Sequence, residues 1–153
     1  MEEIEKLIRE RIAQGHMMQL ATVNGDQPWC CTVYYVFDKD LNLYWFSLPT
    51  RRHSEEINLH DKVAAAIPIK YTIGEKIVGL SVEGKASIIK DPAAILHIVT
   101  EYAQKFKRDE RWVEDVVAKR TVHQLYKLSP DSIVIIDEEN FAPNESRIEM
   151  KLR

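Results

Sequence analysis

The spacing of apolar side chains changes from a helical to a strand period soon after the N-terminus. Residues 2–14 place apolar side chains at positions 4, 7, 8 and 12 among charged ones, and Gly15 follows. This pattern predicts an amphipathic helix that ends at the glycine. Three β-rich runs come next, at 17–23, 29–37 and 43–48, separated by turn-forming residues at 24–26 and 38–40. The start of the chain is therefore predicted to be a helix followed by an antiparallel meander.

Helices then alternate with strands. A short helix is predicted to begin near Ser54, whose hydroxyl can cap it, and strands are predicted at 63–69 and 76–89. Gly79 and Gly84 inside the second strand indicate bends or bulges, which curl a sheet. Asp91 followed by a proline is typical of a helix start, and this helix carries apolar residues at 95, 99, 102 and 106.

The C-terminal third returns to strands. A further helical turn is predicted at 112–118, and strands are predicted at 123–128 and 132–137 around a turn at residues 129–131. Alternation at 148–152 predicts a short final strand. The order of elements favours an α+β fold, an antiparallel split β-barrel with flanking helices, and residues 1–153 are predicted to form a single domain.

Composition excludes several classes of function. The net charge of −3 offers no basic field to attract nucleic acid, so no nucleic-acid partner is predicted. No apolar run is long enough to cross a bilayer, and the acidic N-terminus is unlike a secretory signal, so we predict a cytoplasmic protein with no membrane partner. Cys30 and Cys31 are adjacent and would point to opposite faces of a strand, which argues against a disulfide, a redox pair or a two-cysteine metal site.

Two further pairs of residues have a spacing that suits either a metal or a surface ion pair. Glu56 and His60, and likewise His97 and Glu101, lie four residues apart on predicted helices. No third or fourth ligand follows nearby in the sequence, so surface pairing is favoured and no metal site is predicted.

The junction after the third predicted strand carries the densest candidate chemistry. Thr50, two arginines and a histidine arrive together where a strand gives way to a helix. Free backbone N–H groups at a helix start favour an anion, and Arg52 could add a bidentate contact to a phosphate. The alternative is that Arg51 and Arg52 are solvated surface residues, and the local sequence leaves both interpretations open.

Three segments in this order resemble a known family. They are Gly25-Asp26-Gln27-Pro28, then Tyr44-Trp45-Phe46-Ser47 with Thr50-Arg51-Arg52-His53, and Val82-Glu83-Gly84-Lys85-Ala86. Together they resemble the flavin-binding split-barrel family whose best-known enzyme is pyridoxamine 5'-phosphate oxidase, and they look closest to a small uncharacterised branch of it.

The resemblance implies a flavin mononucleotide (FMN) site. By position, Arg52 and His53 would hold the phosphate, Ser47 and Thr50 would donate hydroxyls, and Phe46 would contribute its backbone. The second strand would present the backbone of four residues to the polar edge of the flavin ring: Cys30, Cys31, Thr32 and Val33. The chain departs from the oxidase at two of these positions, since the oxidase has an arginine in place of Cys31 and a lysine in place of His53, which removes permanent positive charge.

The resemblance also implies a homodimer, in which a second subunit could contribute Trp112, Phe141 or Arg147. The function predicted is that of an FMN flavoprotein, an oxidoreductase that transfers a hydride or electrons to an unidentified small-molecule substrate. No catalytic acid or base is identified. Two alternatives remain: a haem-binding split barrel that uses an exposed histidine, and a non-enzymatic flavin-binding dimer.

Overall fold

A computed structural model describes residues 1–153 and contains four helices and eight strands. The N-terminal half holds α1 (Glu2–Gln14), β1 (Met17–Asn24), β2 (Gln27–Tyr34), β3 (Val36–Phe37), β4 (Leu43–Ser47), α2 (Arg52–Leu59) and β5 (Lys62–Lys70). The C-terminal half holds β6 (Val78–Ile89), α3 (Pro92–Phe106), α4 (Glu110–Val117), β7 (Gln124–Asp137) and β8 (Arg147–Lys151).

All strands belong to one curled antiparallel sheet. The strand order is β2-β1-β5-β6-β7-β4-β3, and β8 also pairs with β7. The long strand β7 changes neighbours along its length, because residues 124–128 pair with β4 and residues 132–136 pair with β8. This arrangement confirms the predicted α+β class and the split β-barrel with flanking helices.

The main core fills the inside of the curled sheet. Ile8 and Ile12 of α1 are fully buried in it, and the rings of Trp45 and Tyr126 stack with centroids 5.7 Å apart. Tyr35 fixes the end of α1, since its hydroxyl donates a 2.6 Å hydrogen bond to the carbonyl of Ile12. A smaller apolar cluster lies between the outer face of β4 and α3, so the sheet is covered on both sides there.

The predicted turn at residues 129–131 is wrong, because β7 runs unbroken through it. Pro130 lies opposite Gly84 at a break in the β6–β7 register, which is a position where a strand tolerates a proline. A Cβ on Gly84 would lie 2.1 Å from the carbonyl oxygen of Ser129. The close approach of the two backbones explains the glycine, and the irregularity predicted at Gly84 is present, with the extra residue, Asp131, on β7.

The predicted capping role of Ser54 is also wrong. Helix α2 begins two residues earlier, at Arg52, and no side chain caps it. Ser54 lies inside the first turn, fully buried, and its hydroxyl has no hydrogen-bond partner. By contrast, the carboxylate of Asp91 caps α3 as predicted, accepting from the N–H of Ala94 at 3.1 Å.

Candidate functional site

The edge strand β2, the end of β4 and the start of α2 meet at one place. β2 pairs only with β1, so its other edge is free to bond a ligand through the backbone. A four-residue connection joins β4 to α2, and the N–H of Arg51 donates to the carbonyl of Leu48 at 3.1 Å within it. The tight turn brings the first residues of α2 back against the two strands.

His53 ties α2 to the end of β4. Its Nε2 lies 2.7 Å from the hydroxyl oxygen of Ser47, and both side chains are buried, at 8% and 7% exposure. Burial, reinforced by the positive charge of Arg51, lowers the pKa of His53, and the carboxylate of Glu56 opposes the shift. The imidazole is therefore neutral at pH 7 and acts as a hydrogen-bonding group, not as a cation.

Arg52 ties α2 to β2. The central carbon of its guanidinium lies 4.2 Å from the ring centroid of Trp29, an arrangement typical of a cation–π contact. Its Nε donates to both carboxylate oxygens of Glu56, at 3.3 and 3.4 Å. The two terminal nitrogens form no hydrogen bond, and the side chain is 46% exposed, so they are available to an anion.

Glu56 brings a negative charge to the same place. Its side chain is 4% exposed, and the carboxylate also accepts a 3.4 Å hydrogen bond from the hydroxyl of Thr22. The sequence pattern pairs Glu56 with His60, whereas the structure pairs it with Arg52. The contacts of Arg52 with Trp29 and Glu56 are not predicted from the sequence; the only signal was the four-residue spacing of Arg52 and Glu56, a common ion-pair spacing on a helix.

The hydroxyl and backbone groups predicted to hold a cofactor are arranged unevenly. Thr50 is exposed and its hydroxyl has no partner, whereas the hydroxyl of Ser47 is already engaged by His53. Phe46 turns its ring away, packing edge-on against Tyr102 at 5.0 Å and Trp112 at 5.3 Å. The ring of Phe46 therefore does not face the junction, and the backbone contribution expected of Phe46 stays a prediction.

The β2 residues differ in their surroundings. Cys31 and Val33 pack against the core, while Thr32 is exposed and donates a 2.7 Å hydrogen bond to Gln19. Burial is the main reason why the pKa of Cys31 is raised to about 11. Negative charge on Cys30 and Glu56 adds to the same shift. The thiol is therefore protonated at neutral pH and unreactive, so Cys31 packs as a small hydrophobic residue.

The three residues predicted to reach a second subunit lie apart from one another. Trp112 packs against Phe46, Phe141 lies in the loop after β7, and Arg147 lines a cleft of about 630 Å³ on the outer face of the sheet. The floor of this cleft carries small side chains, including Ala21, Ala64 and Ala66. Within one chain, Trp112 contacts β4 only on the face that points away from the junction.

Other sequence-based expectations concern metals and membranes. His97 and Glu101 form the surface pair that their spacing favours, at 3.5 Å. No group of three or more His, Cys, Asp or Glu side chains is arranged to hold a metal ion. None of the four helices combines the length and apolar character needed to span a bilayer.

Comparison with known proteins identifies relatives by sequence. Residues 4–133 match the family described as pyridoxamine 5'-phosphate oxidase. A UPF0306 protein of Photorhabdus laumondii is 30% identical over 81 residues, which cover 52% of this chain and 57% of the relative. The match thus spans little more than half of the relative's own length.

Solved structures resemble the whole fold. A conserved hypothetical protein of Mycobacterium tuberculosis aligns with a TM-score of 0.76 at 15% identity, covering 88% of this chain and 85% of its own. The haem storage protein HutZ of Vibrio cholerae aligns at 0.66 and 16% identity, covering 82% and 89%. An FAD-binding protein of Mesorhizobium loti aligns at 0.60 and 14% identity, covering 82% and 88%. At these identities the likeness shows the fold alone.

Proposed function

The chain belongs to the pyridoxamine 5'-phosphate oxidase family, and from this premise we propose that it binds FMN where β2, β4 and α2 meet. The observation that carries the proposal is the placement of Arg52. Its two free terminal nitrogens stand at the start of a helix and beside a strand edge that has no partner. The phosphate of FMN could accept hydrogen bonds from the guanidinium and from the first N–H groups of α2. The polar edge of the flavin ring could form hydrogen bonds with the backbone of β2.

The residues present fit this cofactor, with one opposing feature. Thr50 offers a free hydroxyl beside Arg52, and the backbones of Phe46 and of Cys31, Thr32 and Val33 border the same junction. Glu56 opposes the phosphate, since it shares Arg52 and brings a negative charge. We therefore expect weaker phosphate binding than a site with two unshared cations would give.

In the proposed reaction the protein positions and shields the cofactor. Bound FMN would supply the redox chemistry, taking a hydride from a reduced donor and passing electrons to a small-molecule acceptor. Ser47 and the neutral His53 hold α2 against β4, which fixes the donors for the phosphate. Arg52 stacks on Trp29 and so holds the phosphate site at a fixed position relative to the edge of β2.

The test compares two ligands and two variants by titration of the purified protein. FMN should bind more tightly than riboflavin, which lacks the phosphate. Arg52→Ala should weaken FMN binding at least about tenfold, the effect of losing a charge-assisted contact, and should leave riboflavin binding nearly unchanged. Arg9→Ala removes a half-buried surface arginine of α1 and is the matched control, with no expected effect.

Equal affinity of the parent for FMN and riboflavin would contradict the phosphate site, as would an Arg52→Ala variant that binds FMN like the parent. The proposed oxidoreductase activity is tested by adding a reduced nicotinamide and monitoring reduction of the bound flavin through its absorption spectrum. Binding without any reduction by such donors would instead favour the non-enzymatic flavin-binding dimer.

We also propose that the protein is a homodimer, formed through the outer face of the sheet. Small side chains such as Ala64 and Ala66 line a broad cleft there and would let a second sheet approach closely. Ala64→Arg should convert the dimer to monomer in sedimentation velocity, whereas Ala13→Arg, on the exposed side of α1, should not. A parent protein that sediments as a monomer would refute the dimer.

A haem-binding function is the second candidate, supported by the fold shared with a haem storage protein. Exposed His16 adjoins a shallow pocket that Tyr34, Phe106 and Arg108 also line, so an imidazole, two aromatic rings and a cation for a propionate are close together. Addition of haem should then give a sharp Soret band that His16→Ala removes and Arg52→Ala leaves intact. A parent protein whose spectrum shows no Soret shift would exclude this function.

A further inference from the structure

We propose that a second binding site, for a small organic anion with an apolar body, lies between the helices and the ends of three strands. The site is a cleft of about 330 Å³, a volume within the range of small-molecule pockets. Its floor is apolar and is contributed by β4, β6, α3, α4 and β7: Phe46, Ile89, Ile95, Val116 and Leu125. A ligand with an aromatic or branched aliphatic body would bury its surface there.

The rim of the cleft is basic. Lys90, Lys119 and His123 line it, and none of the lining residues is acidic. Neither lysine forms an ion pair or a side-chain hydrogen bond with the rest of the chain. Two lysines without ion-pair partners beside an apolar floor make the cleft complementary to a carboxylate, sulfonate or phosphate carried on an apolar body.

The backbone at Lys119 allows its side chain to be removed without a steric cost. Lys119 follows the end of α4 with φ +57°, and the N–H of Lys119 donates to the carbonyl of Val116 at 3.1 Å. Glycine is the usual residue at such a left-handed helix end, because it adopts this conformation without a steric cost. A lysine therefore occupies a position where the local backbone favours glycine, and this lysine is one of the residues that line the cleft.

This site is separate from the proposed flavin site. Phe46 lines the cleft on the outer face of β4, whereas its neighbour Ser47 points to the other face and contacts His53. Side chains of consecutive strand residues point in opposite directions, so the sheet itself divides the two sites. The proposal consequently stands whether or not the chain binds a flavin.

The test uses a fluorescent aromatic anion, anilinonaphthalene sulfonate, and its uncharged analogue phenylnaphthylamine, titrated into the full-length protein. The anion should bind more tightly than the analogue, with one probe per chain. Lys119→Gly should weaken binding of the anion about three- to tenfold and leave the analogue unaffected, since only the anion needs the ammonium group. Its melting temperature should be unchanged or higher, which separates lost binding from lost folding.

Two further variants complete the test. Lys107→Gly is the matched control, because Lys107 also follows a helix with φ +55° but does not line the cleft, and it should not change the affinity. Ile95→Trp should fill the cleft and weaken both probes at least tenfold.

Three results would overturn the proposal. The first is equal weakening by Lys119→Gly and Lys107→Gly, which would show a general charge effect. The second is full binding of the anion by Ile95→Trp. The third is displacement of the anion by FMN in proportion to flavin binding, which would place the probe at the flavin site instead.

Discussion

Replacement of Arg11 by methionine tests the buried ion pair that holds α1 against the end of β7. The Nε of Arg11 donates to Asp137 at 2.9 Å, and a terminal nitrogen donates to Glu139 at 2.8 Å. Asp137 is fully buried. Methionine keeps most of the apolar stem of arginine but leaves the carboxylate without its counter-charge, a change that typically costs 3–5 kcal/mol, roughly. Three hydrogen bonds to Asp137 remain, from Glu139 and Asn140, so we expect the lower end, about 3 kcal/mol.

The pH dependence gives the same experiment a second readout. Burial alone would raise the pKa of Asp137, but hydrogen bonds from Arg11 and Asn140 outweigh it and hold the pKa below its ordinary value. A carboxyl group with a lowered folded-state pKa stabilises the protein above its unfolded pKa, about 3.9, and this contribution is lost as the pH falls through the folded value. The difference between parent and Arg11→Met should therefore be largest at pH 7 and shrink below about pH 4.

Urea unfolding at pH 7 and below about pH 4 measures the loss of unfolding free energy, with Arg9→Met as the matched control. Arg9 lies on the same helix but pairs with Glu5 at the surface, so its loss should cost at most about 0.5 kcal/mol. Equal losses for the two variants at pH 7 would refute the reasoning, because they would show that the buried pair contributes no more than an exposed one.

Three further predictions concern single positions. Gly84→Ala should destabilise the protein by about 2–3 kcal/mol in thermal unfolding, since its Cβ would meet the carbonyl oxygen of Ser129; an unchanged melting temperature would contradict the close approach. Burial lowers the pKa of Lys105 to about 8 from 10.5, so between these values Lys105 binds more protons in the unfolded chain and contributes a rise of stability with pH; the slope of stability against pH in urea titrations should therefore be more positive in the parent than in Lys105→Met, and identical slopes would contradict this. Glu56→Gln should free Arg52 and tighten FMN binding about fivefold in the same titration as above, whereas weaker binding would show that the carboxylate helps to hold the site.

Much of the fold follows from local signals in the sequence. The helix at 2–14 and the capped start of α3 combine periodicity with clear end signals, and both are placed correctly. The turn expected at residues 129–131 fails because local turn propensity was outweighed by pairing with β6, whose Gly84 leaves room for a bulge opposite Pro130. That pairing joins residues more than forty positions apart, and no local pattern reports it.

The candidate site was predictable in position but not in its contacts. The strand-to-helix junction at Thr50 to His53 is visible as a cluster of donors, and the structure places it at one end of α2 as expected. The stacking of Arg52 on Trp29 depends on how the sheet curls, since β2 is the first strand in the sheet order and β4 is the last but one. Burial of Ser54 and the neutral state of His53 likewise follow from tertiary packing, which periodicity alone does not describe.

The change of partners along β7 has a consequence for the order of folding. Strand β4 lies between β7 and the edge strand β3. Strands β3 and β4 therefore join the rest of the sheet only through β7. During synthesis the N-terminal segments emerge first, yet the ladder that anchors β4 forms only after residues 124–128 have left the ribosome. The junction at α2 is thus completed only when β7 pairs with β4, so nascent chains that lack residues 124–128 would hold β4 and the start of α2 without the strand that anchors them.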